Sequence, residues 1–148
     1  DDNAPLEECL KHEHVHLGID PEFKMWGDEV PGQDLGNVTG AQVTEAQQWL
    51  VDLANRHGTS RKTLVVHQFT SGMIEDKESI APMNGVDLVI DMDGWGSPAQ
   101  KLATWDTIIP SDPIEYNGVK LFYGQDEPLM TAAEIMALEP APDVVIYQ

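Results

Sequence analysis

The chain has 148 residues, 41% of them hydrophobic, enough for one domain spanning residues 1–148 with a core of its own. Asp and Glu number 26 against 8 Lys and Arg, a formal charge of −18 that repels nucleic acid and anionic membrane surfaces. Cys9 has no second cysteine to pair with, and no apolar run approaches the roughly 20 residues that span a bilayer.

The start, Asp1-Asp2-Asn3-Ala4-Pro5, is acidic and unlike a signal peptide. Residues 5–12 suit the tail of a helix. The run 14–20 (HVHLGID) has strand length and β-branched content, and 21–40, rich in glycine and proline, reads as a loop. From Ala41 to His57 the apolar residues Val43, Ala46, Leu50, Leu53 and Ala54 recur at helical spacing, with Gly58 as the stop. Strand 63–69 (TLVVHQF) follows, then a short helix over 73–80 and strand 86–93 (VDLVIDMD). Ser97-Pro98 opens a helix running to about Trp105, as an N-cap followed by a first-turn proline. Strand 119–126 (VKLFYGQD), a capping box at Thr131-Ala132-Ala133-Glu134 and strand 144–148 (VVIYQ) complete the chain.

Strands alternating with helices predict an α/β fold of parallel βα repeats. The chain holds about five units, whereas a full (β/α) barrel takes roughly 200 residues or more. The expected fold is therefore a partial or truncated (β/α) barrel, with a flavodoxin-like open sheet as the alternative. An open partial barrel exposes strand edges and favours a homodimer.

Ligand sites in parallel α/β folds lie beyond the carboxyl ends of the strands. Those ends carry Asp20 and Glu22, His67 and Gln68, Asp91 and Asp93, Gln125 and Asp126, and Gln148. Strand alternation puts Val15, Leu17 and Ile19 on one face and His14, His16, Gly18 and Asp20 on the other. It likewise sets Leu88, Ile90 and Met92 against Val89, Asp91 and Asp93. Val119, Leu121 and Tyr123 oppose Lys120, Phe122, Gly124 and Asp126. For His67 and Gln68 the parity is open, so either can take the inward place.

Asp91 and Asp93 at a strand end, followed by Gly94-Trp95-Gly96, suit acid/base work or cation binding; the plainer reading is a loop that caps the next helix. Asp20-Pro21-Glu22 is equally a turn opener. Lys120 on a sheet face needs an acid partner, Asp91 or Asp20. His14 and His16 sit at the start of their strand, where a buried, hydrogen-bonded role fits better than metal binding. Trp95 and Trp26 offer stacking surfaces, and Gln68, Gln125 and Gln148 can read hydroxyls. No nucleophile elbow, phosphate loop, His-Glu-x-x-His helix or EF-hand loop is present.

Across HVHLGIDPEF (14–23), VVHQF (65–69), DMDGWG (91–96), KLFY (120–123) and VVIYQ (144–148) the chain resembles the C-terminal part of an uncharacterised family of bacterial, often exported proteins. That resemblance implies a barrel-like fold, upstream strands beyond those in this chain and an extracellular or cell-envelope location. It brings no established activity. The strand-end acids also resemble loosely those of barrel glycosidases, an analogy at the level of fold.

The leading expectation is a hydrolase acting on a carbohydrate. One acid among Asp20, Glu22, Asp91, Asp93 and Asp126 would protonate the leaving oxygen, and a second would act as nucleophile or base. His67, Gln68, Trp95, Lys120, Gln125 and Gln148 would bind the substrate, with no cofactor required. The alternatives are a non-catalytic ligand-binding or scaffold domain, and a metal-dependent hydrolase in which His67 joins Asp20, Asp91 or Asp93 around a divalent ion.

Overall fold

The structure, a computed structural model, describes residues 4–110 and 115–148, so Asp1-Asp2-Asn3 lies outside the described residues. In chain order the elements are α1 (Ala4–Leu10), β1 (Leu17–Ile19), β2 (Val38–Thr39), α2 (Gly40–His57), β3 (Lys62–Gln68), β4 (Ile74–Glu75), β5 (Val86–Met92), α3 (Pro98–Ile108), β6 (Tyr116–Leu121), α4 (Ala132–Met136) and β7 (Val144–Tyr147). Short 3-10 turns occupy Pro21–Phe23, Ser71–Met73 and Lys77–Ser79.

Five strands form one parallel sheet in the order β1-β3-β5-β6-β7, and β2 pairs with β4 in a separate parallel pair. The order follows the chain without a reversal, whereas a flavodoxin-like sheet runs 2-1-3-4-5.

The burial pattern shows where the helices lie. A single cluster joins Val43, Leu50 and Leu53 of α2, Trp105 and Ile108 of α3 and Ile135 of α4 to Leu64, Val66, Leu88, Ile90, Met92, Val119 and Leu121 of the strands. Val15, Leu17 and Ile19 pack against the same cluster, as alternation predicts. Each fully buried Leu or Ile there contributes about 1.5–3 kcal/mol of transfer free energy. The helices thus cover one face, and the opposite face carries Gly18, His67, Asp91, Gly118 and Lys120.

Local chemistry sets the helix ends. Thr39 Oγ1 accepts the Gln42 N–H while Gln42 Oε1 accepts the Thr39 N–H, closing a capping box on α2. At its other end Gly58 takes φ 65°, a left-handed stop that glycine adopts without steric cost. The expected box at Thr131 and Glu134 is present, with 2.8 Å from the Thr131 N–H to Glu134 Oε2.

Several boundaries differ from expectation. The helix expected over 73–80 is instead β4 between two 3-10 turns. Met73, Ile74, Lys77 and Ile80 mimic helical spacing, but Asp76 adopts φ 51° and ends any helix there. The expected loop 21–40 contains a 3-10 turn and β2, because Val38 pairs with Ile74. Strand 14–20 contracts to Leu17–Ile19. Strand 119–126 becomes Tyr116–Leu121, since Tyr116 and Asn117 already pair with Val89 and Ile90 and the chain turns after Leu121. The helix from Pro98 runs one turn further, to Ile108.

Candidate functional site

Beyond the carboxyl ends of the strands lies a cleft of about 570 Å³. Its walls include Asp20 and Glu22 after β1, Phe69 after β3, Asp93, Gly94 and Trp95 after β5, Lys120 and Phe122 on and after β6, and Gln148 after β7. Phe23 and Thr104 complete the lining. Every strand of the main sheet therefore contributes near its carboxyl end.

The register of β3 against β5 builds the floor. His67 pairs directly with Asp91, so both side chains emerge on the same face. His67 Nδ1 lies 2.8 Å from Asp91 Oδ2 and 3.8 Å from Asp93 Oδ2. Asp91 is fully buried, and its carboxylate fits because the facing β6 residue is Gly118. A Cβ at Gly118 would meet Asp91 Oδ1 at 2.6 Å. With Nδ1 bound to Asp91, the remaining ring nitrogen, Nε2, lies towards Gly18 on β1.

Burial and charge act together on these groups. Desolvation is the largest influence on Asp93 and, reinforced by the carboxylates of Asp20 and Asp91, pushes its pKa up to about 6 despite the opposing pull of His67. Glu22 is also raised, first by burial and then by Asp20. For His67 burial opposes the charged form, but the hydrogen bond and charge of Asp91, with Asp93 adding to them, outweigh it and raise its pKa. Asp20 Oδ1, Asp91 Oδ1 and Asp93 Oδ1 are buried without a hydrogen-bond partner among the described residues.

The structure separates the candidate residues into groups. Asp20, Glu22, Asp93, Trp95, Lys120 and Gln148 line the cleft together, with His67 and Asp91 at its floor. Asp126 does not join them. Its carboxylate accepts the Gly96 N–H at 2.8 Å and the Phe122 N–H at 2.9 Å and pairs with buried Lys101 at 3.0 Å. It is a tie between the β5–α3 and β6–α4 loops. Lys101 also donates to the Gly94 carbonyl at 2.7 Å, fixing the loop that carries Trp95, and burial lowers its pKa.

Gln68 points to the helix side, where its amide donates to the Thr70 carbonyl at 3.0 Å, so the parity question resolves in favour of His67. Gln125 is exposed on the turn after β6 and outside the lining. Trp26 is outside it too, its indole N–H donating to Asn37 Oδ1 at 3.0 Å; Phe23 supplies an exposed ring instead. Lys120 lacks the expected acid partner: among the described residues it forms no ion pair, Asp91 being engaged by His67, and its ammonium sits 5.0 Å from the Phe122 ring centre. His16 is exposed rather than buried, with Nδ1 accepting the Thr63 N–H at 3.1 Å; His14 is likewise exposed.

Phe23, Phe69, Thr104 and Lys101 belong to the site or its support without any sequence motif that points to them. Phe122 lines the cleft with Lys120, the face on which alternation with the core residue Leu121 puts it. Among the described residues, no group of three or more His, Cys, Asp or Glu side chains is arranged to hold a metal ion. No described helix is long and apolar enough to cross a membrane. No known protein family, curated protein or solved structure matches the chain.

Proposed function

We propose that this cleft is a hydrolytic site of the glycosidase type, built on a partial (β/α) barrel. The observation that carries this reading is that Asp20, Glu22 and Asp93 line one cleft beyond the strand ends beside aromatic rings. Asp93, with a pKa near 6, retains its proton far above the usual carboxylate range and suits the general acid that protonates the leaving oxygen. Asp20 or Glu22, from the neighbouring wall, serves as the nucleophile at the anomeric carbon or as the base that takes a proton from water. Asp91 holds the His67 ring in place beside Asp93. Trp95, 68% exposed, offers a face on which a sugar ring can stack.

The barrel reading draws on the sequential strand order and on helices covering one face only. Resemblance to exported barrel-like proteins extends it to a location outside the cytoplasm. The edge positions of β1 and β7 support assembly with further strands, in a second copy or elsewhere.

Leaving-group dependence tests the assignment. Asp93→Asn should lower hydrolysis of an unactivated alkyl glycoside about 100-fold or more while leaving a dinitrophenyl glycoside, whose leaving group needs no proton, much less affected. Equal losses on both substrates, or no cleavage of any glycoside by the native protein, would refute it. The latter outcome, together with retained ligand binding, would favour a non-catalytic binding domain.

A further inference from the structure

The pair at the floor of the cleft carries a positive charge that the proposed reaction has not yet used. Asp91 is fully buried, and the bond from His67 Nδ1 to its Oδ2, at 2.8 Å, is the one hydrogen bond its carboxylate accepts among the described residues. A carboxylate taken wholly out of water needs a counter-charge, and the imidazole is the group placed to supply it. The main chain fixes this pairing: His67 and Asp91 are register partners across β3 and β5, and Gly118 on β6 leaves the space that the carboxylate fills. Burial opposes the charge on the ring, but the hydrogen bond and charge of Asp91 outweigh it and raise the pKa of His67. The same nitrogen faces a second acid. Asp93 Oδ2 lies 3.8 Å from His67 Nδ1, too far for a hydrogen bond yet close enough for charge to act strongly where water is largely shut out. Among the described residues, His67 is the one cationic side chain in ion-pair contact with Asp93. Asp93 Oδ1 is closed to solvent, so a proton that Asp93 gives to a ligand leaves from Oδ2, the oxygen beside the ring.

We propose that His67 is a positioning residue for that proton: held as an imidazolium by Asp91, it sets how readily Asp93 lets the proton go. This rests on the glycosidase reading and adds to it a residue that acts through the general acid. In the step, the proton on Asp93 Oδ2 passes to the glycosidic oxygen. The bond from that oxygen to the anomeric carbon breaks, its electron pair staying with the oxygen, and Asp20, Glu22 or water bonds to the carbon. Asp93 is left as a carboxylate, and the positive ring 3.8 Å away stabilises the charge as it forms. Burial keeps the proton on Asp93 beforehand, and His67 opposes burial, so the donor holds its proton without becoming too weak an acid. The other charged groups around the pair are Asp20 and Glu22 after β1, Lys120 on β6, and Lys101 on α3, whose charge is met by Asp126.

The test is His67→Asn, which keeps an amide N–H near the position of Nδ1 for Asp91 and removes the charge. With the carboxyl carbons labelled, NMR should show Asp93 titrating about one pH unit or more higher in His67→Asn than in the native protein. The limb near pH 6 in kcat/KM on an unactivated alkyl glycoside should move up with it. On that substrate kcat should fall about threefold or more, while a dinitrophenyl glycoside loses less than about twofold. A purely structural role for His67 would move neither titration. An Asp93 titration that stays in place in folded His67→Asn overturns the inference. Should His67→Asn fail to fold, as judged by its melting transition, the reciprocal effect is read in Asp93→Asn. There the imidazole of His67 should titrate lower by about as much, and an unchanged imidazole titration refutes the coupling. The two readings fail separately. Cleavage of glycosides with an unmoved limb in His67→Asn refutes this inference and leaves the glycosidase reading standing. Shifted titrations without cleavage of any glycoside support the coupling and refute the glycosidase reading.

Discussion

Gly118→Ala isolates the step on which the floor of the cleft depends. The added Cβ would lie 2.6 Å from Asp91 Oδ1, 3.0 Å from Val89 Cγ1 and 3.1 Å from Asp91 Cα. The first distance is 0.4 Å inside the 3.0 Å that real Cβ atoms essentially never cross. Because the Asp91 backbone is crowded as well, turning its side chain cannot by itself relieve the clash. Overpacking of this kind costs about 1–3 kcal/mol. Displacing the charge-assisted bond between Asp91 and His67 costs about 1.5–3 kcal/mol more, while alanine recovers about 0.4–1 kcal/mol by restricting the unfolded chain. The net expectation is a loss of about 1.5–5.5 kcal/mol in urea unfolding. The imidazole resonances of His67 should also titrate at lower pH, because burial then acts without its opposing carboxylate. Gly124→Ala, where an added Cβ meets nothing within 4 Å, is the control and should stay within about 0.5 kcal/mol. A Gly118→Ala protein as stable as that control, with His67 titrating unchanged, would refute the packing argument.

Asp126→Ala should destabilise the fold by about 3–5 kcal/mol in denaturant unfolding, because it leaves Lys101 buried without its counter-charge and two backbone amides without an acceptor. Asp93 is raised in the folded state, so the folded protein binds more protons than the unfolded chain between about pH 4 and about pH 6, and its contribution falls as pH rises across that window. Relative to the native protein, Asp93→Asn should therefore gain stability on going from about pH 4 to about pH 7, by about 2–3 kcal/mol in denaturant unfolding. His67, also raised, contributes stability that is full below its unfolded pKa and is lost as pH rises through its folded value. Trp95→Ala should leave the melting temperature nearly unchanged, the ring being largely exposed, yet weaken sugar binding measured by calorimetry.

Much of the site was legible because strands alternate strictly. Val15, Leu17 and Ile19 against Gly18 and Asp20, and Leu88, Ile90 and Met92 against Asp91 and Asp93, follow from a period of two alone. The competition between His67 and Gln68 was not decidable in that way. It depends on register, and only pairing of His67 with Asp91 settles which side chain faces the cleft. Asp126 shares the parity of Lys120 by counting, but the strand ends at Leu121, and beyond it alternation carries no information. Its partner Lys101 lies 25 positions earlier on α3, a long-range pairing that no local pattern announces. The apparent helix over 73–80 failed because apolar spacing says nothing of the left-handed residue Asp76.

The pH dependence of glycoside cleavage tests the central claim most directly. If Asp93 donates the proton, kcat/KM on an unactivated substrate should fall as pH rises through about 6, where that carboxyl ionises, and this limb should vanish in Asp93→Asn. A rate unaffected by pH across that range, or a limb that persists unchanged in Asp93→Asn, would contradict it.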